Sequence, residues 1–252
     1  MRPWSGGATP ADFCSDGGVR LHRHDLLGST NDEALRLAGE GAPHGTVVAA
    51  RQQSAGRGRQ GRRWVSPPGN LHASFLFRSG CFQAAGPARV SELGFVAAVA
   101  TAAAIDGFVA GCRLKWPNDA LLGGAKVAGI LIEMVGDAVV VGIGVNVAHA
   151  PPGMPYPVTS LAEHGASPGV DAVLDAVIAA LDAGVSAWDA SGFRQVREAW
   201  LRRGPALGDA LTARAGPGVV SGRFAGLDAD GALLLRTADG VQRIVAGEVV
   251  GA

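Results

Sequence analysis

The sequence predicts an α+β protein, a mixed β-sheet packed with helices and followed by a small SH3-like β-barrel. Three observations carry that prediction. Residues 126–134 (KVAGILIEM) and 138–147 (AVVVGIGVNV) are β-rich runs separated by Gly136-Asp137, which is a hairpin pattern. Residues 87–108 are rich in Ala, Val and Leu, with Leu93, Val96, Ala97, Ala100, Ala104 and Phe108 at helical spacing. From Arg202-Arg203-Gly204-Pro205 onward the chain changes to short strands with turn signals at Gly208-Asp209, Gly216-Pro217-Gly218, Asp230-Gly231 and Asp239-Gly240, and about 45 residues of such strands make a small barrel. The expected organisation is a flexible lead-in over residues 1–18, a main domain over 19–203 and the barrel over 204–252.

At 252 residues, 48% hydrophobic and 17% charged, the chain is long enough to bury a sizeable core and too apolar to be disordered. Lys and Arg number 22, as do Asp and Glu, so no global cationic field draws it to nucleic acid. Cys14, Cys81 and Cys112 are widely spaced with no Cys-x-x-Cys pair, which argues against a disulfide framework and against a zinc site. The N-terminus carries no apolar core of signal length, and the longest apolar runs elsewhere are broken by glycine or charge well short of a membrane span. These points lead to the expectation of a soluble, cytoplasmic protein with no membrane partner. Monomer and homodimer are both compatible with the sequence.

The lead-in leaves no room for a DNA-binding domain of roughly 50 residues before the first strand at Val19, so no specific DNA binding is expected. Residues 19–26 (VRLHRHDL) alternate as a strand with one wet face, and His22 and His24 on it have no acidic or thiol neighbour at ligand spacing. Thr30 and Glu33 then form a capping-box pattern that starts a helix. Two readings stand for Ser29, Thr30 and Asn31: they only cap, or their side chains reach a neutral polar ligand such as a ureido or amide group.

Residues 46–51 (TVVAAR) read as a buried strand that delivers Gln52 and Gln53 into the stretch GRGRQGRRW at residues 56–64. Another strand, residues 70–78 (NLHASFLFR), follows it, so a loop of about 18 residues hangs between two strands of one sheet, a length that marks a working loop. Its glycines let the backbone approach a bound group, while Arg57, Arg59, Arg62 and Arg63 offer planar, permanently charged donor forks suited to phosphate or carboxylate. Taken alone, the stretch is equally a solvated basic loop or a nucleic-acid patch.

Further on, residues 113–119 (RLKWPND) make a short strand ending at a proline turn, where Asn118 and Asp119 are either turn formers or, beside a lysine and a tryptophan, a nucleotide and magnesium contact. Lys126 sits among glycines and apolar residues, where a cation calls for an anion to meet it. Gly142 and Gly144 point to a close backbone approach by a ligand or another strand, and Asn146 ends that run as a lone polar group. Beyond a proline-rich break at residues 151–157, residues 170–188 and 193–203 read as scaffold helices.

Ser29-Thr30-Asn31, Gln53 ahead of GRGRQGRRW, KWPND at residues 115–119, KVAGILIE at 126–133 and GIGVNV at 142–147 occur in one order and spacing, and in this the chain resembles the biotin protein ligases over roughly residues 19–250. It is most similar to the short class without the N-terminal helix-turn-helix domain. The resemblance implies a class II synthetase-like fold of the biotin/lipoate ligase type and a two-step reaction. Biotin and MgATP give biotinyl-5′-AMP and pyrophosphate, and a lysine of a biotin carboxyl carrier domain, such as that of acetyl-CoA carboxylase, takes the biotinyl group. By the same resemblance Arg59 and Lys126 are catalytic. Ser29, Thr30, Asn31, Gln53, Arg57, Gly58 and Gly129, with Arg59 and Lys126, bind biotin. Arg62, Trp64, Asn118, Asp119 and Asn146, again with Lys126, bind ATP, with Asp119 next to Mg2+ and no permanently bound cofactor. The arginine loop would be mobile when empty and order over the adenylate.

Gln60 departs from the arginine, and His72 from the aromatic residue, that many relatives carry there. The rival readings are a lipoate or octanoate ligase of the same superfamily and a non-catalytic nucleic-acid-binding protein. A lipoyl tail has no ureido group to satisfy a Ser-Thr-Asn pocket, and the balanced charge weighs against nucleic acid.

Overall fold

The computed structural model describes residues 18–78 and 87–250; the expected lead-in, Cys14 and Cys81 lie outside the described residues, Gly18 excepted. In chain order the first unit contains β1 (Arg20–Leu27), α1 (Thr30–Gly39), β2 (Thr46–Gln53), β3 (Leu71–Arg78), α2 (Pro87–Asp106), β4 (Arg113–Lys115), β5 (Asp119–Leu122), β6 (Ala125–Val135), β7 (Ala138–Val145), α3 (Val170–Ser191) and α4 (Phe193–Arg203). Its seven strands form one sheet in the order β1-β2-β3-β7-β6-β5-β4. β1 and β2, joined through α1, run parallel, and every other neighbouring pair is antiparallel. The sheet is therefore mixed, as expected.

Side-chain alternation along the central strands settles which face does what. Phe75 and Phe77 of β3 and Val139 and Val141 of β7 bury into the main core with α2, α3 and α4. On the opposite face Leu76 and Val140 join Ala34 and Ala38 of α1. Farther along that second face, the residues in step with Leu76 and Val140 are Ser74, His72, Gly142 and Gly144, with Ser74 paired to Gly142 and His72 to Gly144. The face that is apolar beneath α1 thus becomes small and polar beyond the helix start, and a concavity forms there.

The second unit, β8 (Ala210–Ala215), β9 (Gly218–Leu227), β10 (Leu233–Thr237), β11 (Gly240–Ile244) and β12 (Glu248–Val250), is an antiparallel sheet in the order β11-β10-β9-β8-β12. The expected small all-β unit is present, with β11 and β12 as its edges. It is tied to the first unit through Trp116, whose indole donates to Gly231 O at 3.1 Å and whose carbonyl accepts from Val249 N at 3.4 Å.

Two local expectations change. Asp119 opens a strand instead of sitting in a turn: it pairs with Lys115 and with Gly129, and the four residues of β5 were too few to show a period. Ser29 is the N-cap of α1 and makes no side-chain cap bond, so the capping box does not form; Glu33 instead pairs with Arg36 at 2.7 Å.

Candidate functional site

The concavity beyond α1 is closed at one end by a polar network. Gln53 Oε1 accepts from Thr30 N at 2.7 Å and Thr30 Oγ1 at 3.1 Å, and Gln53 Nε2 donates to Ser66 Oγ at 2.8 Å. Ser74 Oγ lies 2.8 Å from Thr30 Oγ1 and 2.5 Å from Asn31 Oδ1, while Asn31 Nδ2 donates to Glu133 Oε2 at 2.7 Å. Ser29, Thr30 and Asn31 are all buried. The Thr30 and Asn31 side chains, polar groups under cover, are satisfied by these partners. Gly142 makes room for the network, because a Cβ on it would meet Asn31 Oδ1 at 2.2 Å.

The other end is cationic. The arginine loop folds back on itself through a bridge between Arg57 and Arg63 and a 3-10 turn at Arg59–Gly61, with Gln60 in the left-handed region at φ 56°. Three arginines anchor it. Arg57 pairs with Asp32 at 2.5 Å and Glu133 at 2.9 Å, and Arg62 pairs with Glu248 at 2.7 Å. Arg59 donates to two neutral oxygens, Asn118 Oδ1 at 3.3 Å and Gly247 O at 3.1 Å. Trp64 lies flat on the sheet, where a Cβ on Gly144 would meet its indole at 2.5 Å. Lys126 Nζ stands 2.6 Å from Asp119 Oδ1, with the rings of Trp64 and Tyr156 at 5.4 and 5.6 Å.

These distances separate the charges that are already matched from those that are not. Arg57, Arg62 and Lys126 each face a carboxylate, whereas the Arg59 bonds go to neutral groups. Burial pulls the Arg59 pKa below the usual arginine value, reinforced by Arg62 and opposed by Asp119 and Glu248. A guanidinium remains charged regardless, so Arg59 supplies net positive charge to a partly desolvated place. His72, on the floor, is kept neutral: burial lowers its pKa to about 4, with the Pro67 carbonyl opposing.

Every residue that the resemblance assigns to catalysis, biotin or ATP, except Asn146, lines this one cleft. Its free volume is about 60 Å³, with the arginine loop along one side. Among the described residues no group of three or more His, Cys, Asp or Glu converges as a metal site, and no helix is long and apolar enough to cross a membrane.

Comparison with known proteins fits this geometry. The Biotin/lipoate A/B protein ligase family matches residues 26–147, and the Biotin protein ligase C terminal domain matches residues 207–250. A biotin–[acetyl-CoA-carboxylase] ligase of Paracoccus denitrificans is 43% identical over 235 residues, covering 88% of this chain and 96% of that protein. The chain belongs to the biotin protein ligase family. The bifunctional ligase/repressor BirA of Bacillus subtilis is 33% identical, covering 92% of this chain and 74% of its own length. Among solved structures, the biotin protein ligase of Aquifex aeolicus in complex with biotin and ATP superposes with a TM-score of 0.80 at 29% identity, covering 91% of this chain and 97% of that one.

Within this biotin protein ligase, several residues singled out in the sequence are held by the protein itself, among them Gln53, bonded at both ends to Thr30 and Ser66, and Asn118, bonded at both ends to Arg59 and the Ile130 carbonyl. The Asn31 amide is used at both ends, on Ser74 and Glu133. Asn146 donates to Thr159 O at 2.9 Å and lines a smaller adjoining cavity with Trp64, Lys126 and Tyr156. Sequence reading missed Ser74, Glu133, Tyr156 and the C-terminal pins Gly247 and Glu248. Tyr156 is the chain's single tyrosine, and Glu133 is the one carboxylate in KVAGILIE; both oddities were visible. Gly247 and Glu248 had no signal, since their role arises from a contact between units far apart in sequence.

Proposed function

We propose that this biotin protein ligase seats the biotin ureido ring at the Thr30–Gln53 end of the cleft and brings the biotin carboxylate and the ATP α-phosphate together between Arg59 and Lys126. The single observation that supports this reading most is that these two cations, from a loop and from β6, line the same cleft as the buried polar network. Two unit negative charges 4 Å apart repel by about 4 kcal/mol at an effective dielectric of about 20. Lys126 is already offset by Asp119, so Arg59 carries most of the neutralising charge, and Lys126 adds to it once Asp119 turns elsewhere.

In the first step a carboxylate oxygen of biotin attacks the α-phosphorus, the bond to the β,γ-pyrophosphate breaks, and biotinyl-5′-AMP remains. In the second, an acceptor lysine amine attacks the acyl carbon; the C–N bond forms, AMP leaves with the C–O electron pair, and the amine releases a proton. Pre-placed cations of this kind act on the charge that develops during reaction. The arginine loop, with Arg57 and Gly58 over the biotin ring, keeps water from the anhydride. Arg62, Trp64, Asn118 and Tyr156 face the nucleotide, and Asn146 orders the segment carrying Tyr156. Magnesium enters with the ATP phosphates as part of the substrate, and Asp119 is the carboxylate beside it.

The acceptor is a biotin carboxyl carrier domain of a biotin-dependent carboxylase, and the cytosol, which keeps a free thiol such as that of Cys112 reduced, is the compartment this assigns. The division into units at about residue 204 is part of the same proposal. Incubation with biotin, MgATP and a carrier domain should add one biotinyl group, read by mass. Heat on titration with lipoate and none with biotin would overturn the reading.

A further inference from the structure

We propose that a second, apolar cavity behind Arg59 is the passage through which the acceptor lysine of the carrier domain reaches the acyl adenylate. This rests on the ligase reading of the main cleft. The cavity lies where α2, β6 and the turns of the C-terminal sheet meet, and Phe95, Trp116, Pro117, Ile132 and Val245 wall it. Its volume is about 370 Å³, much larger than that of the main cleft.

The two spaces share Arg59, Asn118 and Ile130. Arg59 is the partition, held in the common wall by Asn118 Oδ1 and Gly247 O. Once the adenylate fills the main cleft and the loop roofs it, a nucleophile needs its own entrance. The cavity provides one that ends at the guanidinium facing the reacting carboxyl group.

Its lining suits a lysine. Four methylenes pass along Phe95, Ile132 and Trp116, and apolar side chains flanking the lysine fill the wider mouth. Only the neutral amine attacks, whereas a lysine in water is an ammonium below about pH 10.4. The apolar walls disfavour the ammonium, and the one carboxylate in the lining, Asp230, is already paired with Arg243, so the amine arrives ready to react. The mouth is at the turn between β11 and β12, where Val245 is 67% exposed and Ala246 is also exposed.

Val245→Trp and, separately, Ala246→Arg narrow that mouth without touching the core. Three rates are measured on each full-length variant: biotin-dependent ATP–pyrophosphate exchange, transfer of biotin to a carrier domain, and transfer to hydroxylamine, a nucleophile small enough to ignore the obstruction. The expected result is exchange and hydroxylamine trapping within about twofold of wild type, with kcat/KM for the carrier domain down at least about tenfold, a change of about 1.4 kcal/mol. Carrier transfer within twofold in both variants overturns the proposal. So does a parallel fall in exchange with a raised KM for ATP, which assigns the cavity to the nucleotide. Absence of exchange in the wild-type protein overturns the ligase reading itself, and the two failures are therefore distinguishable.

Discussion

The ammonium of Lys126 lies 2.6 Å from the carboxylate of Asp119, in a cleft where both side chains are largely covered. A buried pair of this kind holds the lysine charged and aimed without committing it to a substrate, because removing either partner leaves the other charge uncompensated. An arriving phosphate or carboxylate competes with Asp119 for the same three donors.

Replacing the lysine tests its part in that exchange. Lys126→Met should lower biotin-dependent pyrophosphate exchange by about 10²–10³-fold, the scale for loss of a group aimed at developing charge. Adding Asp119→Asn removes the stranded carboxylate, so the double variant should regain thermal stability and not activity. Near wild-type exchange in the single variant would remove Lys126 from the chemistry.

Glu133 joins the polar network to the loop, accepting from Asn31 at 2.7 Å and from Arg57 at 2.9 Å. Glu133→Gln keeps an acceptor for Asn31 and removes one of the two charges that hold Arg57, Asp32 being the other. Charge-assisted bonds contribute about 1.5–3 kcal/mol, so the biotin KM should rise about tenfold while kcat at saturating biotin changes little. Equal falls in kcat and kcat/KM would place the role of Glu133 in the reaction step instead.

Gly142 is a spacing requirement. A methyl group there would overlap Asn31 Oδ1 at 2.2 Å, and that amide is gripped by Ser74 and Glu133. Gly142→Ala should destabilise the protein by about 1–3 kcal/mol, as overpacking does, and weaken biotin binding measured by calorimetry. A variant with unchanged melting temperature and affinity would mean that the Asn31 network yields freely.

The protonation of His72 sets an acid limit. Its folded-state pKa of about 4 lies below the ordinary 6.5, so the unfolded chain binds the extra proton first as pH falls. The stability contributed is complete above about pH 6.5 and is lost between there and about pH 4, amounting to about 3 kcal/mol at 1.36 kcal/mol per pH unit. His72→Phe should flatten the stability curve across that window, measured by urea unfolding at pH 4.5 and 7. An identical slope in both proteins would exclude His72 as its source.

Much of the fold was legible because its strands and helices are long enough to show their periods. The helix over 193–203 and the hairpin about Gly136-Asp137 were read within a residue or two. β5 was not, because four residues carry no alternation. The cleft was legible where its lining consists of unusual residues in unusual company: arginines among glycines, Lys126 in an apolar run, three polar residues at a helix start. It was illegible where the roles come from register. Ser74 is an unremarkable serine until the strand pairing sets it opposite Gly142 and beneath Asn31.

Arg59 and Arg62 are both tethered to the last strand of the second sheet and its approach, through Gly247 and Glu248. The all-β unit thus helps to fix the arginine loop that lines the cleft. A chimaera that borrows this sheet from a distant relative would inherit that relative's latch, and its adenylation rate would follow the donor of the final strand even with every cleft side chain left native.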